Sequence, residues 1–232
     1  MRAWTHLVAP YAIDADIEAA GSRLISAYAE PHRRYHDLRH LTEILAHIDE
    51  LAPTARDADL VRLSAWFHDV VYDPARLDNE DASAQVACTV LVALGLPTPR
   101  CAAVARLIRL TATHDPSDGD EDGAVLCDAD LAVLGSDPSR YAEYCADVRE
   151  EYSSVPDVTF AVARAEVLRR LLSRESIFRT SAARSRWEAQ ARDNMGLELH
   201  RLSQMSSDPI HPDPVQRPQT QYRPQTQYRP ET

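Results

Sequence analysis

The segment "LSAWFHDVVY" (residues 63–72) is apolar around nearly its whole circumference when wound as a helix, and only Ser64, His68 and Asp69 interrupt it. That pattern marks a helix buried on most sides, so the segment predicts a helix over 55–72 at the centre of an all-α domain. An ionised carboxylate in such a place is costly unless it is paired, protonated or bound to a cation. Lysine is absent and all 25 basic residues are arginine. Asp69 is thus left with an ion pair to Arg39, Arg62 or Arg109, or with a metal that would also use the neighbouring imidazole of His68.

Outward from this phrase the helical period recurs. Residues 14–29 open at Asp14 and place Leu24, Ile25 and Tyr28 on one face, and after Pro31 the stretch 37–51 resumes with Leu41, Ile44, Leu45 and Ile48. Further helices are expected over 79–94, ending at Gly95, and from Thr98 to near His114 ahead of Pro116. A short helix in "CDADLAVLG" follows, then 138–152, 157–173 and about Ser181 to Leu202. No alternating strand pattern of useful length occurs. The expectation is one helical domain of eight to nine helices over residues 1–205. The acidic "DPSDGDEDG" (115–123) reads as a solvated loop, without the length or terminal glutamate of an EF-hand. Residues 206–232 are rich in proline and glutamine and repeat "QYRPQT", too polar to fold, which predicts a disordered tail.

Composition narrows the chemistry. The chain has 232 residues, 44% of them hydrophobic, enough for one sizeable core. Its net charge of −11 argues against general nucleic-acid binding, which needs a basic face. Without lysine there is no Walker A lysine, Schiff-base lysine or lysine base. Cys88, Cys101, Cys127 and Cys145 are widely spaced and read as reduced core residues. No membrane-length apolar run and no leader-like segment is present, so a soluble, cytoplasmic protein is expected.

A second phrase, "YHDLRHL" (35–41), puts His36 and His40 four residues apart. On a helix, His36 and His47 fall within about 40° of His40, at the edge of the apolar stripe. Such histidines serve either as packing residues or as ligands. His68 and Asp69 need two further ligands from facing helices, which His40 and an aspartate of "DAD", Asp128 or Asp130, can offer. A shell mixing imidazole and carboxylate suits a divalent transition metal (Mn, Fe, Co, Ni or Zn) better than Mg or Ca.

The ordered set His40, His68 with Asp69, and Asp130 resembles the H…HD…D signature of the HD superfamily of metal-dependent phosphohydrolases, firmly so over residues 35 to about 135. "YHDLRHL" is also similar to the YHN-x-x-H phrase of the cyclic-nucleotide phosphodiesterases in that superfamily. The resemblance implies an all-helical fold, a metal on His40, His68, Asp69 and Asp130, and His36 as general acid. Asp130 is preferred over Asp128 for its "AD-x-L"-like setting, with Asp128 better suited to an N-cap. Two-metal members add two histidines where this chain has only His114. One firmly held metal is therefore implied, with His114 lining the pocket, aiding a weaker second site or capping a helix. Glu80 in "NEDASA" either orients the attacking water or is a first-turn acid favoured by the helix dipole. Arg33 and Arg34 in "PHRRYH" are the nearest donors for a phosphate, or are simply solvated. The implied activity is hydrolysis of a small phosphoester or nucleotide; the alternatives are a di-iron oxygenase of the same fold and a non-catalytic sensor of a nucleotide or partner.

Overall fold

The computed structural model describes residues 2–12 and 17–205. Asp14 as a helix start, and the tail 206–232, lie outside the described residues. Among the described residues there are ten α-helices and no strand: α1 (Arg2–Val8), α2 (Ile17–Tyr28), α3 (Leu38–Leu51), α4 (Ala58–Phe67), α5 (Asn79–Ala93), α6 (Thr98–Leu110), α7 (Glu121–Asp130), α8 (Pro138–Glu151), α9 (Asp157–Leu172) and α10 (Ser181–Met205). The fold is all-α, as expected. Short 3₁₀ turns follow α3 at Ala52–Thr54 and α7 at Leu131–Gly135.

Helix boundaries follow local chemistry. Asp37 caps α3 by accepting from the N–H groups of Arg39 and His40 at 2.7 and 3.2 Å. Asp57 caps α4 through Leu60, and Asp137 caps α8 just before Pro138, which suits a first helical position because it has no N–H to satisfy. Gly95, at φ +86°, supplies the left-handed residue that ends α5. Two expectations are corrected here. The acidic loop ends at Asp120, whose carboxylate accepts from Gly123 N–H at 3.1 Å and starts α7, so "EDG" is helical. Asp128 is no N-cap: it lies fully buried inside α7, where its carboxylate accepts from the N–H groups of Arg179 and Thr180, both at 2.7 Å.

α4 is buried on nearly all sides, from Leu60 through Phe67 with only Arg62 half-exposed. α1, α3, α5, α6 and α7 pack around it. α1, which the periodicity left unassigned, contributes Trp4, whose ring meets Trp66 and Phe67 edge-on at 5.7 and 5.8 Å between centroids. On the far side α10 lies across α9 and the 3₁₀ turn 131–135. All four cysteines are free, Cys101 and Cys127 buried, Cys88 and Cys145 half-buried.

α4 also stops earlier than the apolar run suggests, at Phe67 instead of 72. Beyond it, tertiary partners replace the helical ladder. The Arg33 guanidinium takes the carbonyls of Asp69 and Val70 at 2.7 and 3.2 Å, and the Ser83 hydroxyl meets both the N–H and the carbonyl of Val71. Backbone groups satisfied by side chains from elsewhere need no helix to pair them. His68 and Asp69 thus sit on a turn at the helix end.

The crossing of α10 over the 3₁₀ turn depends on Gly135, since a Cβ there would lie 2.7 Å from the Trp187 carbonyl oxygen. Gly135→Ala is expected to destabilise the protein by about 1–3 kcal/mol through overpacking, read as a lower thermal midpoint.

Candidate metal centre

Four side chains from three parts of the chain meet under α4. His40 comes from the first turn of α3 and His68 from the end of α4, and their Nε2 atoms stand 3.0 Å apart, both rings almost completely buried. Asp130, the last residue of α7, brings Oδ1 to 3.2 Å from His40 Nε2 and 3.7 Å from His68 Nε2. Asp69 brings Oδ2 to 2.9 Å from His68 Nε2 and 3.6 Å from His40 Nε2. His40, His68 and Asp130 form a group able to hold a metal ion, and Asp69 reaches the same two nitrogens.

The donor chemistry fits a cation. His68 Nδ1 lies 2.8 Å from the Ala65 carbonyl, which only accepts, so Nδ1 carries the proton and Nε2 is left to point its lone pair at the centre. At 3.0 Å the two Nε2 atoms either share one proton in a hydrogen bond or face one cation. Burial alone would push His68 down, yet the Asp69 carboxylate against it, helped by Asp130, raises it to about 9. Asp69 is buried too, and His68 holds it well below the usual carboxylate range; His114 and His40 do the same for Asp130. A proton on His68 and a divalent ion are therefore competing answers to one electrostatic demand.

The arginine alternatives for Asp69 do not reach it. Arg39 pairs with Glu43 and Glu143, Arg62 with Asp49 and Asp59, and Arg109 with Asp81. His47 lies outside the cluster, with its ring edge-on to Trp187 at 5.0 Å.

His36 precedes the Asp37 cap, so the helical-wheel placement used for it does not apply. Its ring stacks on Tyr72 at 4.1 Å, and Nδ1 lies 2.7 Å from Glu151 Oε2. Glu151 ends α8 and was not anticipated. Its Oε1 accepts from the N–H groups of Arg34, Tyr35 and His36 at 2.9–3.0 Å, and its Oε2 also accepts from the Tyr72 hydroxyl at 2.7 Å. Burial favours the protonated acid, but His36 and these backbone donors outweigh it and lower Glu151 to about 2. In return burial would lower His36, and the Glu151 hydrogen bond raises it above the ordinary imidazole value.

His114 joins the site from the turn after α6, with Nε2 2.7 Å from Asp130 Oδ2. It caps no helix by side chain; its backbone adopts φ +48° and its carbonyl accepts from Arg174. Glu80, in the first turn of α5, is half-buried; burial and the nearby Asp69 charge raise its carboxyl.

The phosphate contact expected of Arg33 is corrected. The Arg33 side chain is completely buried and donates to Glu30 and to the carbonyls of His36, Asp69 and Val70, with its guanidinium over the rings of Tyr28 and Tyr72. It is the brace of the site. Arg34 is half-exposed and paired with Glu150 at 2.7 Å. Adjacent arginines look alike in sequence, and only packing separates one that is buried from one in solvent.

No family model, curated protein or solved structure matches this chain.

His68→Ala and Asp69→Asn are each expected to remove bound transition metal from purified protein, measured by plasma mass spectrometry against about one ion per wild-type chain. Arg33→Ala leaves three carbonyls without their donor and is expected to cost about 3 kcal/mol or more in denaturant unfolding, where Arg34→Ala costs under about 1 kcal/mol.

Proposed function

We propose that this chain is a metal-dependent phosphohydrolase of the HD superfamily type, acting on a small phosphoester or nucleotide. The observation that carries the reading is the convergence of His40, His68, Asp69 and Asp130 on one buried point, with His36 held beside it on a carboxylate. A divalent transition metal on those four residues would supply Lewis-acid polarisation of a phosphoryl oxygen and a water acidic enough to attack near neutral pH.

The rest of the work falls to the chain's own side chains. His36 Nδ1 is engaged by Glu151, so its Nε2 is the atom free to give a proton to the leaving oxygen. Glu151 keeps that imidazole protonated and, through Tyr72 stacking and three backbone N–H bonds, fixes its orientation. This is the division of labour in which a carboxylate orients a catalytic histidine without reacting itself. Asp130 is shared between the metal-facing histidines and His114, so His114 positions the ligand carboxylate from behind. Glu80, half-buried in the first turn of α5, is the acid assigned to order the attacking water.

The test is hydrolysis of a panel of phosphomonoesters, phosphodiesters and nucleotides with each transition metal added in turn. His36→Ala is expected to keep metal and to lower kcat about 10²–10⁴-fold, the usual worth of a general acid. As an acid His36 must be protonated, so wild-type activity should fall only as pH rises above the ordinary imidazole value of about 6.5. Glu151→Gln retains the backbone contacts but not the charge, and should move that alkaline limb to lower pH. Full activity in Asp69→Asn would overturn the reading.

A further inference from the structure

A groove of about 360 Å³ runs between α8, α9 and α10, away from the metal centre. Tyr141 on α8, Phe160 on α9, and Leu197 and Leu202 on α10 line it. Its polar groups are already engaged. Glu198 takes the Arg164 guanidinium and the Tyr141 hydroxyl, Arg149 pairs with Asp157, and Asn194 donates to the carbonyls of Leu134 and Ser136. What the groove offers an occupant is therefore apolar surface, and Leu197 stands 60% exposed within it. Arg201, also exposed, gives an entering aromatic ring a cation to lie against, as Arg149 lies over Phe160 at 4.8 Å.

The chain itself supplies an occupant of that chemistry. α10 forms one wall of the groove and ends at Met205, three residues past Leu202. Residues 206–232 follow, and they carry "QYRP" twice, so that Tyr222 and Tyr228 stand in the same setting. From Pro214 to Pro230 the only charged residues are Arg217, Arg223 and Arg229, in a chain whose net charge is −11. Tyr222 comes 17 residues after Met205, a reach of at most about 60 Å when fully extended, so either tyrosine can return to a groove whose wall is the helix it leaves. Tethering holds the repeat at an effective concentration on the order of millimolar, enough to populate a weak contact. The proline after each Tyr-Arg pair restricts the chain, which therefore loses less freedom on docking. The volume lies at the small end of ligand pockets, about 300–1,000 Å³, and suits one aromatic side chain better than a packed helix.

We infer that this groove is the docking site of the chain's own C-terminal repeat, residues 221–230, with the ring of Tyr222 or Tyr228 seated against Tyr141, Phe160 and Leu197. Nothing in this assignment depends on the phosphohydrolase reading.

The test is hydrogen exchange of the full chain, read by mass spectrometry over residues 197–205 at the end of α10. Substituting both rings, Tyr222→Ser with Tyr228→Ser, is expected to speed exchange there at least about threefold and to leave α3 and α6 unchanged. Leu197→Asp removes the seat, and because Leu197 is exposed the variant should melt as wild type does. In that background the two tyrosine substitutions should add nothing, since the contact they would remove is already gone. Wild-type exchange should be the same at about 1 and about 100 μM protein, as a tethered ligand requires. Equal exchange in wild type and the tyrosine variant, the same increment in the Leu197→Asp background, or protection that grows with concentration, the mark of a second copy as occupant, would each overturn the assignment.

Discussion

The buried guanidinium of Arg33 holds the candidate site in shape. It reaches from the turn before α3 to the turn after α4 and binds the carbonyls of His36, Asp69 and Val70. The helix can therefore stop at Phe67 although its sequence stays apolar to Tyr72. His68, the C-cap of α4, keeps helical backbone angles, and from these adjacent positions at the helix end His68 Nε2 and Asp69 Oδ2 come within 2.9 Å of each other. The same guanidinium ties the segment bearing His36 to the segment bearing His68 and Asp69, so both are positioned by one brace.

Around that brace the electrostatics divide into two halves. At the centre, carboxylates and imidazoles are packed so closely that a positive species is required, whether proton or metal. Beside it, Glu151 gathers five donors on one carboxylate and passes its charge to His36. An anion of this kind would be costly to bury with fewer partners. Its position at the end of α8 explains why a helix remote in sequence belongs to the site.

The all-α fold was legible because period and breakers agree along most of the chain: the start near residue 37, Gly95 and the prolines mark boundaries that the structure keeps. The short α1 was missed, since seven residues offer too little periodicity, although Trp4 proves central to packing on α4. The group His40, His68 and Asp130, which could hold a metal ion, was also named from the sequence: the aspartate in an apolar phrase pointed to an ion pair or a cation, and the resemblance to the H…HD…D signature picked its companions. Arg33 carried no such mark. Beside Arg34 it reads as half of a solvated pair, and only the placing of Tyr28, Tyr72 and three carbonyls around it gives it a buried role.

What the sequence determined by itself was therefore the helical class and the residue types that converge, which follow from periodicity within a few turns of chain and from the cost of burying charge. The tertiary structure alone decided where α4 ends, that Asp128 ties down the start of α10 while Asp130 turns to the centre, and that Glu151 lies on His36. These depend on groups brought together from 36 to 115 residues apart. No local period or propensity encodes such a meeting, because what selects it is the need of buried backbone and charge to find partners once the helices have packed.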